Sequence, residues 1–236
     1  MSENGKKTLF IGFEDCNYCK LAYEFLIVCG FDVTCLWASK KRRSSLPKEI
    51  KKWSGDYLFH MKSYYILPKT LLDNVKVAAL NFHPSSPNYP GSGCLNWALY
   101  NNEDKTGITV HRINEKIDNG QIIKAYDVPI FKNDNIETLL PRVHMKQLEA
   151  FYDIVTIISQ NDPLILDTIA ARTANKDIKW GSKTGKIKEI DKLQLVDVDV
   201  EKEELEKIIR ATAIGKFGPR LMLHGHEFKY AKGETE

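Results

Sequence analysis

Strand, helix, glycine stop, strand is the order in which the first 36 residues fall. Thr8–Phe13 reads as a strand, Tyr18–Cys29 as an amphipathic helix, Gly30 as its stop, and Asp32–Leu36 as a second strand. Neighbouring strands joined through a helix run parallel, so this opening commits the chain to an α/β sheet.

The pattern continues. A basic loop, Lys40–Ser45, is followed by a short helix over Lys48–Trp53 and an apolar run at Tyr57–His60. A helix over Pro68–Leu72 and a buried strand at Val75–Phe82 come next. The predicted fold class is therefore α/β: a Rossmann-like, mostly parallel sheet with helices on both faces, whose ligands bind beyond the carboxyl ends of the strands. The loop HPSSPNYPGSG, residues 83–93, holds three prolines and two glycines and excludes regular structure. A helix over Cys94–Tyr100, strands over Gly107–Ile113 and Gln121–Ile130, and a long amphipathic helix from Glu137 to Ser159 complete a first unit, residues 1–159. Residues 160–236 are expected to form a small α+β appendage. It has a short strand at Gln194–Val198, a charged helix at Val200–Ala211 and a terminal hairpin in RLMLHGHEFKY that turns at Gly225.

Composition closes off several classes. With 236 residues, 43% hydrophobic and 28% charged, the chain is that of an ordinary globular protein, which excludes disordered, collagen-like and disulfide-scaffold readings. A net charge of +3 is too mild for a dedicated nucleic-acid or membrane binder. From residue 160 onward, fourteen Lys and Arg stand against fourteen Asp and Glu, so RNA binding is disfavoured. The five cysteines, an odd number, read as free thiols in a reducing cytosol. The opening MSENGKKTLFIGF passes directly into a strand, and no apolar run approaches the ~18 residues of a membrane span, so a cytoplasmic location is expected.

The chemistry is concentrated at the end of the Val75–Phe82 strand. Residues two apart in a strand share a side, so Asn81 and His83 project together while Phe82 turns away, and Pro84 stops the strand there. An amide can donate to a developing oxyanion, an imidazole can exchange a proton near neutral pH, and a carboxylate can hold that imidazole. These are the parts of an acyl transfer. No activated Ser or Cys stands beside the pair, which favours direct attack by a substrate amine. From residue types alone, Asn81 and His83 serve equally well as polar groups satisfying a strand end, and Asp118, before Asn119-Gly120, reads as a turn former.

NFHPSSPNYPG, with TGITVHRI and KIDNGQII downstream, resembles the formyltransferase family that uses 10-formyltetrahydrofolate. The shared pattern is an Asn-x-His-Pro strand end, a Pro-rich loop, a Thr-Gly-x-Thr strand and an Asp-x-Gly turn, spread over residues 63–124. The resemblance implies a catalytic trio of Asn81, His83 and Asp118. It also implies a pterin site at Tyr65, Ile66 and Leu67, with Ile117 and Asp118 opposite. The loop lacks the arginine of the transfer-RNA members, and its Pro-Asn-Tyr-Pro-Gly form is similar to the sugar N-formyltransferases. The implied partners are folate and a nucleotide-linked amino sugar, best matched by dTDP-4-amino-4,6-dideoxyglucose, with Tyr89 and Trp97 as substrate-binding candidates. The implied assembly is a homodimer, and the implied pathway leads to a surface polysaccharide such as lipopolysaccharide O-antigen. The alternatives are the same chemistry on glycinamide ribotide or methionyl-tRNA, and a catalytically silent nucleotide-binding module, against which the intact trio argues.

Other signals carry less. Cys16-Asn17-Tyr18-Cys19 has thioredoxin spacing, but no second pair exists to complete a zinc site, and the pair reads as free thiols at a helix start. Lys40–Arg43 reads as a solvated charge run. His111, His224 and His226 have no partners at metal-ligand spacing and read as structural, so no metal is expected.

Overall fold

The computed structural model describes residues 5–39 and 45–232, and the basic run Lys40–Arg43 lies outside them. The predicted opening is present: β1 (Lys7–Phe13), α1 (Asn17–Val28) and β2 (Asp32–Ala38), with β1 and β2 parallel. α1 ends at Gly30, whose φ of +79° is the left-handed conformation a glycine adopts freely. There Gly30 N–H donates to Ile27 O and Phe31 N–H to Leu26 O, the paired bonds that close a helix end on a left-handed residue.

The chain continues through α2 (Lys48–Lys51), β3 (Gly55–His60), α3 (Lys69–Leu72), β4 (Val75–His83), α4 (Cys94–Tyr100), β5 (Lys105–Arg112), β6 (Ile122–Pro129) and α5 (Ile136–Gln160). The strands form one sheet in the order β2-β1-β3-β4-β5-β6, in which β5 alone runs antiparallel to the other five. β1 pairs with β2 on one side and β3 on the other, so the connections reverse there, and such a reversal leaves a crevice beyond the strands' carboxyl ends.

Both faces of the sheet are covered, as the unbroken apolar runs require. Phe10 points to one side, where its ring meets Phe151 of α5 edge-on at 5.8 Å, and Phe59 and Phe82 join the same cluster. Leu9 and Ile11 point to the other, against Leu58, Leu71 and Trp53. α5 starts in a capping box: Asn135 accepts from the Glu137 and Thr138 N–H groups, and Thr138 Oγ1 accepts from Asn135 N–H. Asn135→Ala is expected to cost about 1 kcal/mol, read as a lower denaturant midpoint at unchanged slope.

Beyond α5 the sequence reading needs correction. Two helices precede any strand, α6 (Ile165–Ala174) and α7 (Ile187–Leu193). Ile165, Leu166, Ile169, Ala170 and Thr173 recur at helical spacing. Leu166 and Ala170 enter the main core, and the buried Thr173 Oγ1 donates to Ile123 O of β6 at 2.7 Å. β7 (Leu195–Val196) is only two residues long, and α8 (Lys202–Thr212) packs on α4, where Asn96 Nδ2 donates to Ala211 O at 2.7 Å. β8 (Arg220–Leu223) and β9 (His226–Lys229) form the expected hairpin. His224 and Gly225 both take positive φ at its two-residue turn, and β7 adds a third strand alongside β8. Among the described residues no helix is long and apolar enough to cross a membrane.

Candidate active site

β4 delivers Asn81 and His83 to one side of its carboxyl end and turns Phe82 into the core, where its ring lies 4.9 Å from that of Phe151. Asp118 reaches them from the turn between β5 and β6. It sits at φ +41°, so the turn-former reading holds as well. Its Oδ1 accepts from Asn81 Nδ2 at 3.1 Å and lies 3.2 Å from His111 Nε2, while its Oδ2 accepts from Gly91 N–H at 2.9 Å and lies 3.2 Å from His83 Nδ1. Asn81, His83 and Asp118, distant in sequence, thus meet around one carboxylate. Burial alone would push that carboxyl up; the His111 hydrogen bond, the two imidazoles and the Gly91 N–H outweigh it and hold Asp118 down at about 2.

His83 is 3% exposed. Burial pushes it below its ordinary value against the opposing pull of Asp118, so the neutral ring is favoured. Its other nitrogen, Nε2, lies 2.9 Å from Tyr89 O. A neutral imidazole has one hydrogen for these two acceptors, and the bond to a charged carboxylate is the stronger, so Nδ1 keeps it and Nε2 is a lone pair. The imidazolium satisfies both acceptors at once. The surroundings therefore suit a group that starts neutral, takes a proton on Nε2 and holds it briefly.

A cavity of about 400 Å³ opens over these groups. Tyr65, Ile66, Leu67, Ile117 and Asp118, the five residues expected around a pterin, all line it together with Asn81 and His83. Tyr89 and Trp97 do not. The Tyr89 hydroxyl donates to Glu103 at 2.6 Å and only its carbonyl faces His83, while Trp97 lies edge-on to Tyr100 with Lys183 Nζ 5.8 Å from its ring.

Sequence reasoning missed three participants. His111, read as structural, touches both Asn81 and Asp118. His60 Nδ1 donates to Asn81 Oδ1 at 3.0 Å. Trp180 places its ring 4.9 Å from His111 and 5.9 Å from His83 and donates to Gly120 O at 2.7 Å. Next to it, Gly181 N–H bonds Pro87 O and Gly185 N–H bonds Pro90 O, pinning the proline-rich loop from outside. The signal for Trp180 was a lone tryptophan in a polar stretch, which does not say what it packs on.

Cys16 and Cys19 are free, at the start of α1. The hydrogen bond from Cys19, with help from Lys62, lowers the Cys16 thiol to about 5 against the effect of burial, and the same contact raises Cys19. Among the described residues no His, Cys, Asp or Glu cluster is placed to hold a metal ion.

A doubly covered α/β sheet with an amide, an imidazole and a carboxylate converging at a strand's carboxyl end holds the groups that a proton-coupled attack on a carbonyl needs. The formyl transferase family model matches residues 19–155, and the chain belongs to that family. It is similar to the methionyl-tRNA formyltransferase of Ehrlichia canis, 39% identical over 116 residues, a match covering 49% of this chain and 38% of that protein. The chain spans less than half the length of the curated relatives it matches. Among solved structures, a sugar N-formyltransferase from Shewanella sp FDAARGOS_354 superposes with a TM-score of 0.68 at 18% identity, covering 95% of this chain and 96% of that one. An N-formyltransferase from Helicobacter canadensis, in complex with folinic acid and dTDP-3-aminofucose, superposes with a TM-score of 0.63 at 18% identity, covering 87% and 80%.

Proposed function

We propose that this protein transfers the formyl group of 10-formyltetrahydrofolate to the amino group of a nucleotide-linked amino sugar. The observation that carries the reading is the Asp118 carboxylate held among Asn81, His83 and His111 at the wall of a cavity. A substrate amine attacks the formyl carbon, and the oxygen of the resulting tetrahedral adduct is met by an Asn81 N–H. Asn81 Nδ2 donates to Asp118 and lies 3.1 Å from His111 Nε2, so one of its hydrogens turns to the oxyanion. His83 Nε2 takes the amine proton while Nδ1–H stays on Asp118, and the imidazolium returns that proton to the departing folate nitrogen as its bond to the formyl carbon breaks.

Two features favour a sugar over transfer RNA. The likeness to the small sugar enzyme runs through nearly the whole of both chains, whereas the likeness to the transfer-RNA enzyme covers a minor part of that longer protein. The balanced charge from residue 160 onward, fourteen basic against fourteen acidic residues, disfavours RNA binding. Within this reading the substrate is dTDP-4-amino-4,6-dideoxyglucose. Trp97 under Lys183 and Tyr89 within the loop, both outside the cavity, are the candidates for holding the nucleotide, and the exposed Leu223 and Phe228 of the terminal hairpin support self-association.

The test is formyl transfer from 10-formyltetrahydrofolate to a panel of dTDP- and UDP-linked amino sugars, with glycinamide ribotide and methionyl-tRNA as competitors. Turnover on a dTDP-amino sugar, unaffected by RNA, is the expected result. Folate binding without turnover on any sugar would sink the sugar assignment, and transfer to methionyl-tRNA would replace it.

A further inference from the structure

His60, Asn81 and His111 stand in one row across β3, β4 and β5, paired by register as His60 with Asn81 and Asn81 with His111. One carboxylate sets the direction of the hydrogen bonds along that row. Asp118 Oδ1 can only accept, so the Asn81 atom 3.1 Å from it is the donating Nδ2. That turns Asn81 Oδ1 towards β3, where it accepts from His60 Nδ1 at 3.0 Å. His60 is left with a lone pair on Nε2. That atom is buried, has no hydrogen-bond partner, and belongs to a ring that lines the cavity. The Tyr65 carbonyl acts on the same ring but is itself an acceptor and cannot satisfy a lone pair. Burial holds the ring below its ordinary pKa, in keeping with the neutral form.

We propose that His60 is both a donor-binding and a positioning residue: its Nδ1–H fixes the Asn81 amide with the NH₂ group towards the reacting carbonyl, and its Nε2 accepts an N–H of the reduced pteridine ring. The inference rests on the formyl-transfer reading above. A buried acceptor beside a backbone carbonyl, in a cavity walled by Tyr65, Leu67 and Ile117, suits a flat ring with several N–H groups better than a polyhydroxylated sugar. A buried lone pair without a donor is unfavourable, so the ligand that supplies the hydrogen gains by doing so.

Asn and Gln separate the two roles, because an Asn amide falls near the Nδ1 position and a Gln amide near Nε2. Tetrahydrofolate binding by calorimetry, kcat and KM for transfer, and thermal unfolding are measured for the wild type, His60→Asn and His60→Gln. His60→Asn is expected to weaken tetrahydrofolate at least ~10-fold with kcat within about threefold of wild type. His60→Gln is expected to keep the Kd within about threefold and lose at least ~10-fold in kcat. An unchanged Kd in His60→Asn overturns the acceptor role. Lower melting temperatures in both variants without the split between Kd and kcat reduce His60 to a structural residue and overturn the proposal. A wild type that does not bind tetrahydrofolate removes the formyl-transfer reading and this inference together, whereas wild-type binding with unaltered variants removes this inference alone.

Discussion

Asp118→Asn should lower the rate of formyl transfer by at least ~10³-fold, because it removes the charge that orients His83 and stabilises its protonated form. The substitution keeps the shape of the side chain, so the site stays formed. It also reverses the preference at Nδ1: an amide presents either a carbonyl or an NH₂, and the NH₂ orientation would trap the tautomer with its hydrogen on Nε2, which is useless as a base. The pH profile separates this from simple damage. The Asp118 charge raises the pKa of His83, so its loss lowers that pKa further, and the acid limb of the pH–rate profile moves to lower pH. Stability carries a second signature. Asp118 sits at about 2 against 3.8, so its ionised form contributes about 2 kcal/mol at neutral pH. With a depressed folded pKa, that contribution is present above about 3.8 and lost as pH falls through about 2. The wild type should therefore outlast Asp118→Asn in urea at pH 7 and converge on it in acid. A rate loss below tenfold, or an acid limb that does not move, would refute this role for Asp118.

What could be read in the sequence was mostly local. The strand and helix order, the stop at Gly30 and the His224-Gly225 turn each depend on a few neighbouring residues, and all are present. Alternation along β4 placed Asn81 and His83 on one side for the same reason. What failed was anything set by strand neighbours. Alternation orders the side chains within one strand but does not say that β3 and β5 flank β4, so the place of His60 and His111 beside Asn81, 21 and 30 positions away, could not be read. Asp118 illustrates the boundary. Its residue type and its Asn-Gly neighbours gave the turn, and only a resemblance supplied its second role, because the contacts with His83 and Gly91 depend on a loop folding back. α6 and α7 had the helical stripe but were masked by a polar, charge-balanced surrounding.

Gly120→Ala is the substitution expected to harm the fold most. A methyl group there would lie far inside contact distance of Arg112 O and 2.8 Å from Arg112 C, and both are backbone atoms. That backbone cannot retreat: Arg112 N–H is bonded to Gln121 O and Arg112 O accepts from His111 Nδ1, so movement would break the pairing of β5 and the histidine row together. A loss of at least ~3 kcal/mol is expected, equivalent to a fall in Tm of roughly 10 °C in a chain this long. Gly225→Ala is the control. That glycine sits at φ +82° with open space around its Cβ position, so its replacement costs only the conformational strain of about 1 kcal/mol. Because Gly120 lies two residues after Asp118 and its carbonyl receives the Trp180 N–H, any Gly120→Ala protein that does fold should also be catalytically impaired. Equal stability losses for the two glycines would mean that β5 yields to the added methyl group, and that the close approach of the Asp118 turn to Arg112 O does not hold the carboxylate in place.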